Sequence, residues 1–189
     1  MQNLNEIKKD AALMRAVAAG DQKACREVAD TYLSISYRLA VRILGDTSLA
    51  EDMAQEAFMK LWKQAPDWQA KAQIRTWLHR VTHNLCVDHL RKQKRFSDDE
   101  VPDIADPALG VIEKLEQRQI DDKVVEALQK LPPRQRIAIS LVYFEECGNI
   151  EAADIMELSV DALESLLARG RRKLKDLLLP ARRLRDGVM

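Results

Sequence analysis

The sequence predicts an all-α chain of two small helical domains joined by a flexible acidic linker. Three observations carry this expectation. Apolar residues recur at helical spacing through most of the 189 residues, and strand-like alternation is scarce. Six glycines and six prolines are few for 189 residues. One segment, Phe96 to Gly110, is rich in acids, holds Pro102 and Pro107, and has no apolar stripe.

A first helix is expected from about Leu4 to Ala19, stopped by Gly20-Asp21. The second runs from Gln22 to Leu44. Its apolar positions Val28, Tyr32, Ile35, Leu39 and Ile43 form one buried stripe, and Gly45 ends it. Ser48 is placed to cap the third helix, with Glu51 completing a capping box. That helix reaches Gln64, buries Ala50, Ala54, Ala57 and Leu61, and gives way to the loop APDWQAKAQ. The fourth covers Ile74 to Lys94, with Ile74, Trp77, Leu78, Val81 and Leu85 inward. A second helical unit starts near Val111. In LQKLPPRQR, Pro132 ends one helix and Pro133 suits the first turn of the next, with Ile137, Leu141 and Phe144 inward. After the turn Cys147-Gly148-Asn149, a short helix IEAADIM, a tight turn ELS and a long helix VDALESLLARGRRKLKDLLL outline a helix-turn-helix. Its core would set Ala152, Ala153, Ile155 and Met156 against Val160, Leu163 and Leu167. Ser159 would cap the long helix, and Gly170 would allow a close backbone approach. The domain boundaries expected are 1–95, a linker 96–112, and 113–189.

Formal net charge is zero, but charge is segregated. Residues 71–95 carry seven Lys or Arg against one acid, and residues 169–185 carry eight against one. Between them, residues 98–122 carry nine acids against two bases. Two basic blocks around an acidic one fit two anion-binding surfaces and a connector. Cys25, Cys86 and Cys147 are far apart, form no CxxC, and are odd in number, which fits a reducing compartment rather than a disulfide framework. The N-terminus lacks the apolar core of a signal peptide, and no apolar run approaches the ~18 residues of a membrane span. A cytoplasmic protein without cofactor, metal or small-molecule substrate is expected.

The stretch RTWLHRVTHNLCVDHLRKQKR (75–95) holds all three histidines. His79 and His83, four apart, are expected on the outward face of the fourth helix. HRVTH lacks the glutamate of a hydrolase HExxH motif, and spacing supplies no third ligand. Arg75, Arg80, Arg91, Lys92, Lys94 and Arg95 surround them, with Trp68 just upstream. Cations beside an aromatic and a loop suit unpaired nucleic acid. On the third helix, Asp52, Gln55, Glu56 and Met59 share a second face, which suits either plain solvation or a basic partner helix. Arg169, Arg171, Arg172 and Lys173 end the last helix where cations neutralise phosphates while its N-terminal turns face base edges.

Taken together, LAEDMAQEAFMKLW, IRTWLHRVTHNLCVDHLRK, LQKLPPRQR and NIEAADIMELSVDALESLLARGRRKL, in that order, resemble the extracytoplasmic-function (ECF) sigma factors of the sigma-70 family. The resemblance implies a non-enzymatic subunit of RNA polymerase. Asp52, Gln55, Glu56 and Met59 would bind the β′ clamp helices. The loop Pro66 to Gln73 would receive a flipped −10 base, with Trp68, Lys71, Arg75, Arg80, His83, Asn84, Asp88 and Arg91 as DNA contacts. The second domain would meet the β flap. It would read the −35 duplex through Arg134, Ser159, Asp161, Ala162, Glu164, Ser165, Arg169, Arg171, Arg172 and Lys173. An anti-sigma factor is the expected regulator. Glu164 and Leu166 stand where the family commonly has Lys and Arg, so Glu164 either accepts from a cytosine amino group or repels phosphate. Two other functions compete: a stand-alone helix-turn-helix repressor, and a metal-dependent hydrolase using His79 and His83.

Overall fold

The computed structural model describes residues 2–97 and 122–183, with side chains described for 4–93 and 123–178. Among these residues there are eight α-helices and no strand. They form two compact units: residues 2–40 with 46–97, and residues 122–183 with 41–45. The expected linker falls almost entirely outside the described residues, as does the expected start near Val111.

The first unit contains α1 (Gln2–Ala18), most of α2 (Gln22–Leu44), α3 (Thr47–Gln64) and α4 (Ile74–Ser97). Gly20 takes the left-handed conformation (φ 80°) that ends α1. There Asp21 N–H reaches back to the Ala16 carbonyl at 3.0 Å, closing the terminal carbonyls of the helix. Asp21 then caps α2, its Oδ1 accepting Lys23 N–H at 2.8 Å. The core gathers Met14 and Val17 from α1, Ala24 and Val28 from α2, Ala57, Phe58 and Leu61 from α3, and Ile74 and Leu78 from α4. Burying one such Leu or Ile contributes about 1.5–3 kcal/mol. The capping box expected at Ser48 and Glu51 is not formed. Asp46 is the N-cap instead, accepting Leu49 N–H at 2.9 Å, because α3 begins one residue after it.

Helix α4 differs from expectation in a second way. His79 and His83 are buried, at 1% and 7% exposure, together with Thr82 and Cys86. Positions 79, 82, 83 and 86 follow helical spacing and form a row beside the Ile74–Leu78 stripe. The histidines, expected outward, are buried.

The second unit contains α5 (Asp122–Gln129), α6 (Pro133–Ile139), α7 (Asn149–Ile155) and α8 (Val160–Arg183). Ser140–Phe144 continue α6 as a π-turn, with Glu145 N–H bonded to the Ser140 carbonyl at 3.1 Å. The wider turn shifts the inward register by a residue. Phe144, expected inward, is therefore 37% exposed, while Ile137 and Leu141 are buried as expected. Helices α7 and α8 pack as the expected helix-turn-helix, with Ala152, Ala153, Ile155, Met156, Leu163 and Leu167 all buried. Between them, Glu157 is left-handed (φ 53°), and Leu158 N–H bonds the Ala153 carbonyl at 2.9 Å. Ser159 Oγ accepts Ala162 N–H at 3.2 Å, capping α8. At Gly170 an added Cβ would stand 3.0 Å from Ile139 Cγ1, so α8 crosses α6 at glycine range.

Candidate nucleic-acid interface

In the first unit, α4 presents one exposed polar row: Arg80, Asn84, Asp88 and Arg91. Spacings of four, four and three put them on one side of the helix, over roughly 16 Å at 1.5 Å per residue. Arg91 and Asp88 lie 3.7 Å apart, both mostly in solvent, a pairing worth little by itself. Their donors and acceptors thus stay accessible to a partner. His83 lies beneath the row. Its ring is buried, with Nδ1 2.9 Å from Asn84 Oδ1, so it helps to orient Asn84.

The loop before α4 opens with a short 3-10 turn, Ala65–Asp67. Trp68 is half-buried, with its ring edge-on to Trp77 (centroids 6.0 Å, 63° between planes) and packed against the core. Its indole nitrogen is buried. The packing of the ring fastens the loop to the core. Lys71 is exposed and Arg75 half-buried, one at the loop's outer side and one in the first turn of α4.

On α3, Asp52, Gln55, Glu56 and Met59 are all exposed, opposite the buried Ala50, Ala54, Ala57 and Leu61. Met59 is 58% exposed, an apolar centre in an acidic-polar face. Lys60 reaches Glu56 at 3.4 Å at the rim.

In the second unit, Asp161, Glu164, Ser165, Ala168, Arg169 and Arg172 form the solvent side of α8, with Arg171 and Lys173 flanking. Ala162 is half-buried, and Ser159 is an exposed cap. Glu164 Oε1 accepts from Asn149 Nδ2 at 3.3 Å, linking the first residue of α7 to the N-terminal turns of α8. Arg169 Nε donates to the Ser165 carbonyl at 3.1 Å and lies along the helix. Arg134 is exposed at the start of α6, away from this row in sequence. The outward row is therefore acidic at its N-terminal end and basic at its C-terminal end.

Sequence reasoning missed two residues that position this surface, Asn149 and Asp10. Asp10 Oδ2 accepts Ile74 N–H at 2.7 Å, at the start of α4. Asn149, at the first position of α7, was open to detection as a polar side chain next to the helix-turn-helix. Asp10, 64 residues from its partner, left no signal in local periodicity.

Two helical units, the second carrying a helix-turn-helix with a cationic end, define a sigma-70-type chain. The model for sigma-70 region 2 matches residues 28–96, and that for sigma-70 region 4 matches residues 121–174. The ECF RNA polymerase sigma factor SigW of Bacillus subtilis is 30% identical over 174 residues, covering 86% of this chain and 92% of the relative. The ECF RNA polymerase sigma factor SigK of Mycobacterium tuberculosis H37Rv is 30% identical over 175 residues, covering 88% and 92%. The chain belongs to the ECF RNA polymerase sigma factors. Among solved structures, sigma factor RpoE in complex with the anti-sigma factor NepR from Bartonella quintana shares the fold. Its TM-score is 0.68 at 22% identity, over 81% of this chain and 95% of that one. CnrH in complex with the cytosolic domain of CnrY gives 0.63 at 25% identity, over 89% and 96%. Sigma factors are non-enzymatic initiation factors. No helix among the described residues is long and apolar enough to cross a membrane.

Proposed function

We propose that this chain directs core RNA polymerase to particular promoters, doing no chemistry of its own. The domains proposed are 1–95 for core binding and −10 opening, 96–112 as connector, and 113–189 for −35 recognition. The observation that carries the reading is the pairing, in one family member, of an exposed polar row on α4 with a charged outward row on α8.

The α3 face, Asp52, Gln55, Glu56 and Met59, meets a basic helix pair of the polymerase clamp, with Met59 supplying the apolar contact. The loop 66–73 receives an unpaired −10 base while Lys71, Arg75, Arg80, Asn84 and Arg91 follow the strand, and Asp88 sets Arg91. Unstacking a base costs a few kcal/mol, so these contacts must be gained only once the strands part. Helix α8 enters the major groove at −35: Asp161, Ala162, Glu164 and Ser165 face base edges, and Arg169, Arg171, Arg172 and Lys173 face phosphates. Ser159 and Arg134 meet the backbone, and the second unit also meets the β flap. The regulator is an anti-sigma factor, as NepR is in the solved complex with RpoE. The protein acts in the cytoplasm. Neither a free-standing repressor nor a metallohydrolase is favoured by the family matches.

In vitro transcription with core polymerase on a promoter library tests this. Adding the protein should concentrate initiation at a shared pair of elements. No change in start-site choice would reject the proposal. Asp52→Ala with Gln55→Ala should weaken co-purification with core; unchanged recovery would reject that face.

A further inference from the structure

Helix α1 precedes the matched region-two segment, residues 28–96, and has no part in the contacts proposed above. In the structure it grips both ends of the loop between α3 and α4. At the entry, α1 packs on the 3-10 turn Ala65–Asp67, and Ala65 is buried in the core that holds Met14 and Val17. At the exit, Asp10 Oδ2 accepts Ile74 N–H at 2.7 Å. Ile74 is the first residue of α4, and its N–H is one of the first-turn donors that a helix cannot satisfy internally. A carboxylate there also meets the positive end of the helix dipole. The other oxygen, Oδ1, accepts the Tyr32 hydroxyl of α2 at 3.3 Å. Asp10 is 4% exposed. Burial pushes its carboxyl above the ordinary value, opposed by the bonds from Ile74 and Tyr32. One buried side chain thus joins three helices at the point where the loop becomes α4. Between the two grips, Trp68 is docked on Trp77, and Gln69, Ala70 and Lys71 are left exposed.

From this geometry we propose that α1 frames the loop 66–73, with Asp10 as a positioning residue that fixes the loop's exit in the shape that receives an unpaired −10 base. The proposal rests on the promoter-opening reading of this unit. A loop held at both stems needs little ordering when the base arrives, so its affinity for single strand depends on residues that never touch DNA.

The test uses holoenzyme assembled from core polymerase and the full chain, with a fluorescent single-stranded oligonucleotide carrying the −10 non-template sequence selected from the promoter library. Asp10→Asn keeps an acceptor for Ile74 and can donate to the Tyr32 hydroxyl, so strand affinity and base preference should match the parent. Asp10→Leu keeps bulk but offers no acceptor, and strand affinity should fall roughly tenfold. Its preference at the captured base should flatten, with affinity for core polymerase and for a −35 duplex unchanged. A merely structural role would move core affinity together with strand affinity, and would not alter base preference. Asp10→Leu holoenzyme with parental strand affinity and preference would overturn the proposal while leaving promoter opening intact. A parent holoenzyme that shows no preference for the −10 strand would overturn the opening reading and the proposal together. If Asp10→Leu also loses core binding, Tyr32→Phe decides by the same readouts: it frees one carboxylate oxygen. About threefold weaker strand binding supports the proposal, and no change overturns it.

Discussion

Glu157 in the turn of the helix-turn-helix is the sharpest place to test the second unit. Its φ of 53° lies in the left-handed region, and the Leu158-to-Ala153 bond of 2.9 Å holds it there. An L residue in that conformation costs roughly 1–2 kcal/mol. Glycine removes this cost but has more freedom to lose on folding, which returns roughly 0.5–1 kcal/mol. Glu157→Gly should therefore stabilise the unit by about 0.5–1 kcal/mol. For a small domain that is a rise in Tm of roughly 2–8 °C. Glu157→Val, β-branched and therefore far from its allowed backbone regions, should destabilise by more than about 1 kcal/mol. Thermal unfolding of the full chain by far-UV circular dichroism measures both. Because the same turn sets the angle at which α8 leaves α7, the Val variant should also weaken holoenzyme at a −35 duplex, while the Gly variant should not. A lower Tm for Glu157→Gly, or an unaltered one for Glu157→Val, would refute the turn geometry and the reasoning from it.

Gly170→Val should destabilise by roughly 2 kcal/mol in urea unfolding, since its Cβ meets Ile139 Cγ1 at 3.0 Å and Cδ1 at 3.3 Å. Adding Ile139→Val should recover part of the loss; full additivity would argue against that contact. Arg171→Ala should shallow the salt dependence of holoenzyme at a −35 duplex by about 0.9 in log–log slope, roughly a three- to fourfold difference between 50 and 200 mM salt. Glu164→Gln should leave the slope almost unchanged and shift base preference instead, and the reverse pattern would exchange their roles. Burial pushes the Cys86 thiol up to about 12 from 9.0. Native Cys86 should resist iodoacetamide at pH 8 and label once urea unfolds the chain. Because the folded value is the raised one, this thiol's contribution to stability is full below pH 9 and is lost as pH rises toward about 12. Cys86→Ala should therefore flatten the alkaline fall in Tm across that window.

Much of the architecture was legible because it is written locally. Gly20 and Gly45 and the pair Pro132-Pro133 mark helix ends through their own backbone chemistry, Ser159 does so through its hydroxyl, and the stripe from Leu163 to Leu167 needs only its period. What escaped depends on distance or on buried polar residues. His79 and His83 read as outward because periodicity displays the apolar stripe, while the buried row beside it is polar in composition. Phe144 read as inward because a π-turn leaves no mark in residue spacing. At the N-terminus of α3 the local pattern points to Ser48 with Glu51 and passes over Asp46, which the observed first turn makes the cap. At the candidate interface, Asn84, Arg80 and Arg91 were readable as exposed polar residues. The buried ring that aims Asn84 and the Asp10 anchor were not, since both act through tertiary contacts.

The row of charge along α8 runs from Asp161 and Glu164 to Arg169 and Arg172. Such a face has a head and a tail. Turned end for end in the groove, it would set carboxylates against the sugar-phosphate rails and guanidiniums over the wrong base edges. If α8 reads the −35 duplex as proposed, it accepts its element in one heading, and an enzyme placed by it is told which way along the chromosome to travel.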